Sequence, residues 1–145
     1  MNNAISCGLT SQGAIVCGPL IENDADTTFG AEPYRQLALG THFLCAAPAD
    51  ELNALDFWAL GEDAFTGESF EGSRKRTTFS DAVASFAASD RLACALTTAL
   101  TVRCKNVTVV DDRNILLYEL AQPFPAQVQA VALTVGGDCA CILTL

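Results

Sequence analysis

Two pairs of cysteines in this chain are spaced alike: nine residues separate Cys7 from Cys17, and nine separate Cys94 from Cys104. The intervening strings, CGLTSQGAIVC and CALTTALTVRC, share a C-x-L-T opening. Alternation through Ala4–Leu9 and Ala14–Cys17 marks two short strands, and Ser11-Gln12-Gly13 is a turn with glycine where positive φ is needed. Equal offsets from that turn place Cys7 opposite Cys17, and the same holds for Cys94 and Cys104. At a non-hydrogen-bonded antiparallel pair the Cα atoms are ~4.5 Å apart, within reach of a disulfide. Closing so short a loop stabilises by roughly 3 kcal/mol in the chain-entropy picture. Cys7–Cys17 and Cys94–Cys104 are therefore expected to be bridged hairpins.

The hairpins belong to a longer repeat. In register, the copies are AISCGLTSQGAIVCG (4–18), HFLCAAPADELNALDFWALG (42–61), LACALTTALTVRCKN (92–106) and DCACILTL (138–145), with Cys7, Cys45, Cys94 and Cys141 spaced by 38, 49 and 47 residues. Each copy after the first follows a small apolar segment: YRQLALGTH (34–42), AVASFAASD (82–90) and VQAVALTVGG (128–137). Small residues there suit an innermost strand crowded near an axis. Each unit then reads as one small antiparallel sheet, the blade of a propeller. VTVVDDRNILLYELA (107–121) adds a strand–turn–strand, and DELNALD (50–56) reads as one short helical turn. The expected fold is all-β, with antiparallel propeller-like blades. It forms one repeat domain, 1–145, with units at approximately 4–40, 41–89 and 90–134 and a partial unit at 135–145.

The segments LALGTHFLCAAP (37–48), SFAASDRLACALT (85–97), AVALTVGGDCACILT (130–144) and ISCGLTSQGAIVCG (5–18) resemble the repeats of the regulator of chromosome condensation family. With their cysteines they are similar to crinkly-type receptor-kinase ectodomains and to the bacterial beta-lactamase inhibitor propeller. The resemblance implies a propeller that binds proteins. It carries over no nucleotide-exchange surface, because the loops of that activity have no match here. About three units are present, fewer than the roughly four to eight blades that close a propeller. The chain starts and ends in the second strand of a unit. The expectation is a head-to-tail contact in which Cys141–Leu145 lies beside an N-terminal blade, either of a second copy or of a longer polypeptide. Two copies would make a ring of about six blades.

Charge and composition narrow the partners. Eight basic and seventeen acidic residues give a formal net charge of −9, which repels phosphate backbones, so nucleic acid is not an expected partner. No apolar run approaches the ~18 residues of a membrane helix, so no membrane insertion is expected. The N-terminus shows no signal peptide. The paired cysteines nevertheless favour an extracellular or secretory setting, and Asn106-Val107-Thr108 has the form of a glycosylation acceptor. The alternative, a cytoplasmic chain, would hold both pairs as thiols.

No catalytic, cofactor or metal site is expected. His42 and Cys45 lie on opposite faces of a strand, and there is no C-x-x-C. Asn23, Asp24 and Asp26 lack the glycine and closing glutamate of a calcium loop. Cys45 meets Phe57 where a partner cysteine would fall, so it is expected to be buried and unbridged. Candidates for partner binding are Trp58, which competes with a blade-packing role, and the basic run Arg74, Lys75, Arg76, read as part of a surface loop at 61–81. The acidic stretch 21–33 reads as a second rim loop. The expected function is a non-enzymatic protein-binding and assembly module acting through these loops. The alternative is a structural subunit of a larger assembly, homo-oligomeric and completed by strand pairing between chains.

Overall fold

The computed structural model describes residues 5–19, 27–29, 33–59, 74–111, 114–120, 124–125, 128–137 and 139–144. Within them the chain is all-β. Strands β1 (Ile5–Leu9), β2 (Ile15–Pro19) and β3 (Thr27–Phe29) form a first sheet. A second comprises β4 (Tyr34–Leu39), β5 (Phe43–Pro48), β6 (Ala54–Ala59) and β7 (Lys75–Thr78). A third comprises β8 (Val83–Ser89), β9 (Leu92–Thr97), β10 (Val102–Asp111) and β11 (Asn114–Glu119). The fourth holds β12 (Ala130–Gly136) and β13 (Cys139–Thr144). Strands follow chain order in every sheet and all pairs are antiparallel.

The repeat is exact at the level of register. Cys45 faces Ala38, Cys94 faces Ala87 and Cys141 faces Thr134 across the inner hairpins of the second, third and fourth sheets. Each inner strand carries a register shift at the same place, at Tyr34, Val83 and Ala130. These three residues are buried, and each donates its N–H to a carbonyl in the turn of the preceding sheet: Gly13, Leu52 and Leu100 respectively, at 2.8–2.9 Å. A bulge re-aims the strand and releases one backbone group from the ladder. Here the released N–H joins one sheet to the next. Gly13 needs its glycine twice over, for a φ of 84° and because a Cβ would lie 2.8 Å from the Tyr34 carbonyl oxygen.

Apolar layers fill the spaces between successive sheets. Ile15, Cys17, Leu44, Ala46 and Trp58 pack between the first and second; Phe43, Cys45, Leu55, Phe57, Phe86, Val107 and Ile115 pack between the second and third. Leu92, Cys94, Leu96, Val102, Cys104 and Ala130 pack between the third and fourth. Strands β5 and β6 are buried on both faces, with every residue covered.

Three local expectations are corrected. Residues 50–56 are not helical: 50–53 form the β5–β6 turn and Ala54–Asp56 are already strand, their pairing set by Leu55 and Phe57 against the third sheet. Thr27–Phe29, taken as loop, pairs with β2 as an outer strand, consistent with its β-branched and aromatic residues. Lys75 and Arg76 do not belong to a loop either. They open β7, with Arg76 opposite Asp56. Within the two predicted rim loops, 21–33 and 61–81, residues 21–26, 30–32 and 61–73 lie outside the described residues.

Candidate interaction surface

The third sheet packs one face on the second sheet, with Arg103 and Glu119 exposed at its margin, and leaves the other face half covered. Along β10, Val107 and Val109 point to the second sheet together with Ile115 and Leu117 of β11. Val102 and Cys104 point the other way, to the fourth sheet. Side chains alternate along a strand, and directly paired residues share a face. Asn106 and Thr108 therefore continue the Val102–Cys104 face, and so do their partners Tyr118 and Leu116. The fourth sheet, with two strands among the described residues, covers the inner half of this face through β12 against β8 and β9. The outer half is bare: Leu116, Tyr118 and Leu120 are 38%, 54% and 39% exposed, and Val110 at the neighbouring bulge is 59% exposed. A line of large apolar side chains left in water on an otherwise packed sheet is the mark of a protein-contacting surface.

A second open face belongs to the fourth sheet. Leu133, Val135, Ala140 and Ile142 pack back onto the third sheet. Cys139, Cys141 and Leu143 point away and are exposed. In repeat register these three correspond to Phe43, Cys45 and Ala47 and to Leu92, Cys94 and Leu96, all buried. Identical positions are thus core where a further sheet follows and surface in the fourth.

The second sheet instead carries a buried polar anchor. Asp56 is fully buried and receives hydrogen bonds from the Tyr34 hydroxyl (2.8 Å), Arg76 Nε (2.7 Å) and Arg76 Nη2 (2.9 Å). Arg76 Nη1 also reaches Glu51 at 2.6 Å. A forked guanidinium satisfies both carboxylate oxygens, the arrangement a buried charge requires. Burial raises the Tyr34 phenol well above its ordinary value, helped by its bond to Asp56 and partly offset by Arg74. The network ties β4, β6, β7 and the β5–β6 turn into one unit and has no open approach at Asp56.

Each sequence candidate can now be placed. Cys7 is bonded to Cys17 and Cys94 to Cys104, with Cα atoms 4.1 and 4.0 Å apart. Cys45 lies opposite Phe57 as a free, fully buried thiol, its pKa pushed up by burial and then by Asp56, the opposite of an activated nucleophile. His42 is exposed at the preceding turn. Trp58 is not a surface aromatic. It is fully buried, edge-on to Tyr34 with ring centroids 5.4 Å apart, because β6 is covered on both faces. Arg76 is committed to Asp56 and Glu51, so the basic run is not one patch; Lys75 and Arg74 remain exposed at the strand's start. Asn106 is half-buried, with its Oδ1 accepting from the Thr108 hydroxyl at 3.4 Å. Among the described residues no group of three metal-ligating side chains comes together. Sequence reasoning missed Leu116, Tyr118 and Leu120. Their alternation was legible, but which face lacks cover depends on how many strands the next sheet contributes.

Comparison with solved structures gives the fold a name. The yeast RCC1 protein Prp20, solved bound to Kap60, superposes over 98% of this chain with a TM-score of 0.61 and 15% identity. The fold is that of RCC1-type propeller blades. Human WBSCR16 matches over 97% of the chain (TM-score 0.63, 15% identity), and the CRINKLY ectodomain of the Arabidopsis thaliana receptor kinase ACR4 over 97% (TM-score 0.50, 15% identity). The chain spans 38% of the Prp20 chain, 43% of WBSCR16 and 60% of the ACR4 ectodomain. No family model and no curated protein matches the sequence. A separate structure of Prp20p from Saccharomyces cerevisiae (TM-score 0.60, 17% identity, 98% of this chain and 40% of that one) is described together with its binding to Gsp1p and histones.

Proposed function

We propose that this chain is a non-enzymatic, protein-binding propeller module, and that it engages its partner through the outer half of the third sheet. The observation that carries this reading is the exposed row Leu116, Tyr118 and Leu120 on a face whose inner half is buried by the fourth sheet. Aromatic residues next to an already packed interface are the usual anchors of protein contacts. The protein partners named for Prp20 support the class of function, not the partner. The two disulfides favour maturation in an oxidising compartment, and an ectodomain shares the fold.

The test is photo-crosslinking from position 118 in cells secreting the chain. A protein partner captured from 118 and from 116, but not from the exposed turn residue Gln12, is the expected outcome. Equal capture from all three positions, or none from 118, contradicts it. A second reading, self-assembly, is favoured by the open face of Cys139, Cys141 and Leu143, which a second copy's first sheet would cover head to tail. Light scattering across a concentration series separates the two. Mass rising with concentration, and held at the monomer value by Leu143→Asp, supports self-assembly; a constant monomer mass rejects it.

A further inference from the structure

The turns of the two bridged hairpins are built alike. Thr10 and Thr97 donate their N–H groups to the carbonyls of Ala14 and Thr101 across a three-residue loop, at 2.9 Å in each case. Their own carbonyls accept the N–H of the third loop residue, Gly13 at 2.9 Å and Leu100 at 3.0 Å. This is a type I turn closed by a residue in the left-handed region, where glycine is the usual occupant. Gly13 suits it, with a φ of 84°, whereas Leu100 is held at a φ of 63° with a branched side chain. A bulky residue there is strained, and such strain persists only where the surroundings over-determine it. Ladder and bridge do so here: the Thr97 and Thr101 hydroxyls meet at 2.7 Å, and further down the same ladder Cys94 is bonded to Cys104. The β5–β6 hairpin has no bridge, because Cys45 faces Phe57, and its turn presents the carbonyl of Leu52, which is not at positive φ.

The strained residue is also a joint. The Leu100 carbonyl accepts the Ala130 N–H at 2.9 Å, as Gly13 accepts from Tyr34 and Leu52 from Val83. We infer that Cys94–Cys104 is a redox switch for the joint between the third and fourth sheets. The bridge holds Leu100 in the left-handed turn that presents its carbonyl to Ala130, and reduction lets that turn relax and withdraw the carbonyl. The reaction is thiol–disulfide exchange with a small thiol reductant. Its thiolate attacks one Sγ, the S–S bond breaks, and the other cysteine leaves with the electron pair and takes a proton from solvent. A second reductant thiolate displaces the remaining cysteine from the mixed disulfide, so that the reductant ends as its own disulfide and both cysteines as thiols. The Thr97–Thr101 closure then opens into a wider loop and Leu100 returns to an ordinary backbone region. Cys94 and Cys104 are buried in the layer that Leu133, Val135, Ala140 and Ile142 pack against, so the sulfurs lie in the interface whose docking they control. Cys7–Cys17 supplies the contrast. Gly13 stores no strain, so opening that bridge leaves the Tyr34 bond to Gly13 in place.

The test is amide hydrogen exchange, read as the ratio of the Ala130 rate to the Tyr34 rate before and after reduction with dithiothreitol. A general loss of stability speeds both amides and cancels in the ratio, whereas local opening of one joint does not. In the native sequence the ratio should rise at least about tenfold on reduction and return on reoxidation. In Leu100→Gly, whose turn is unstrained with or without the bridge, it should change by less than about twofold. Leu100→Asn, better tolerated in the left-handed region, should fall between the two and stands in if the glycine variant does not fold. A ratio that reduction leaves unchanged in the native sequence overturns the proposal. So does an equal rise in Leu100→Gly, which would trace the loosening to the lost bridge alone.

Discussion

The second and fourth sheets share a hairpin register, a bulge position and an anchoring N–H bond to the sheet before, yet their burial is opposite. Every residue of β5 and β6 is covered, whereas β13 alternates between half-buried and exposed. The local rules of pairing are therefore satisfied equally in both. The difference comes from neighbours: among the described residues two sheets flank the second and one flanks the fourth. In a stacked repeat, core and surface are assigned by position in the stack.

The contrast predicts graded costs of mutation. Arg76→Met should be the most damaging. It strands the buried Asp56 carboxylate, and breaking such a pair costs about 3–5 kcal/mol, towards the lower end here because Arg76 is itself 29% exposed. Urea unfolding would show this, and pairing the change with Asp56→Asn should recover part of the loss. Next, Cys94→Ala with Cys104→Ala should lower stability by roughly 3 kcal/mol. Reduction, which also opens Cys7–Cys17, should lower stability at least as far, and an unchanged midpoint would detach the hairpins from stability. Gly13→Ala should cost about 1–3 kcal/mol, since it forces a strained φ and crowds the Tyr34 carbonyl at one joint between sheets. At the small end, Leu143→Ser should change the midpoint by less than about 0.5 kcal/mol, as an exposed substitution does, while the equivalent Leu96→Ser in the third sheet should be severe.

Alkaline pH acts on the buried side of the contrast. Cys45 and Tyr34 have ordinary values of 9.0 and 10.0, and both are raised in the fold. The unfolded chain therefore releases these protons first. The stability they contribute is complete below about pH 9 and declines as pH rises beyond it. Tyr34→Phe should flatten that decline. A stability profile indifferent to the substitution above pH 10 would show that Tyr34 is not held as described.

Much of this architecture was legible in the sequence because it rests on local signals. The nine-residue cysteine gap set two hairpins, the small apolar segments marked three inner strands, and the strand–turn–strand in 107–121 gave β11 and the outer part of β10, which runs unbroken from Val102 to Asp111. Trp58 was ambiguous because an alternating strand does not say which faces will be covered, and the structure covers both. Arg76 was read with its charged neighbours as loop, since its counter-charge Asp56 is twenty residues away in sequence. The open row at Leu116, Tyr118 and Leu120 escaped notice for a related reason. Its exposure follows from a fourth sheet with two strands among the described residues, not from β11 itself.

The three free thiols are built-in reporters of the difference between closed and open sheets. Native-state labelling by a small alkylating reagent, at sub-micromolar protein and resolved by peptide mass, tests it most directly. Cys139 and Cys141 should react at the rate of an unstructured thiol, and Cys45 only as fast as the whole domain unfolds. Rapid labelling of Cys45, or protection of Cys139 and Cys141 in the isolated chain, would contradict the account.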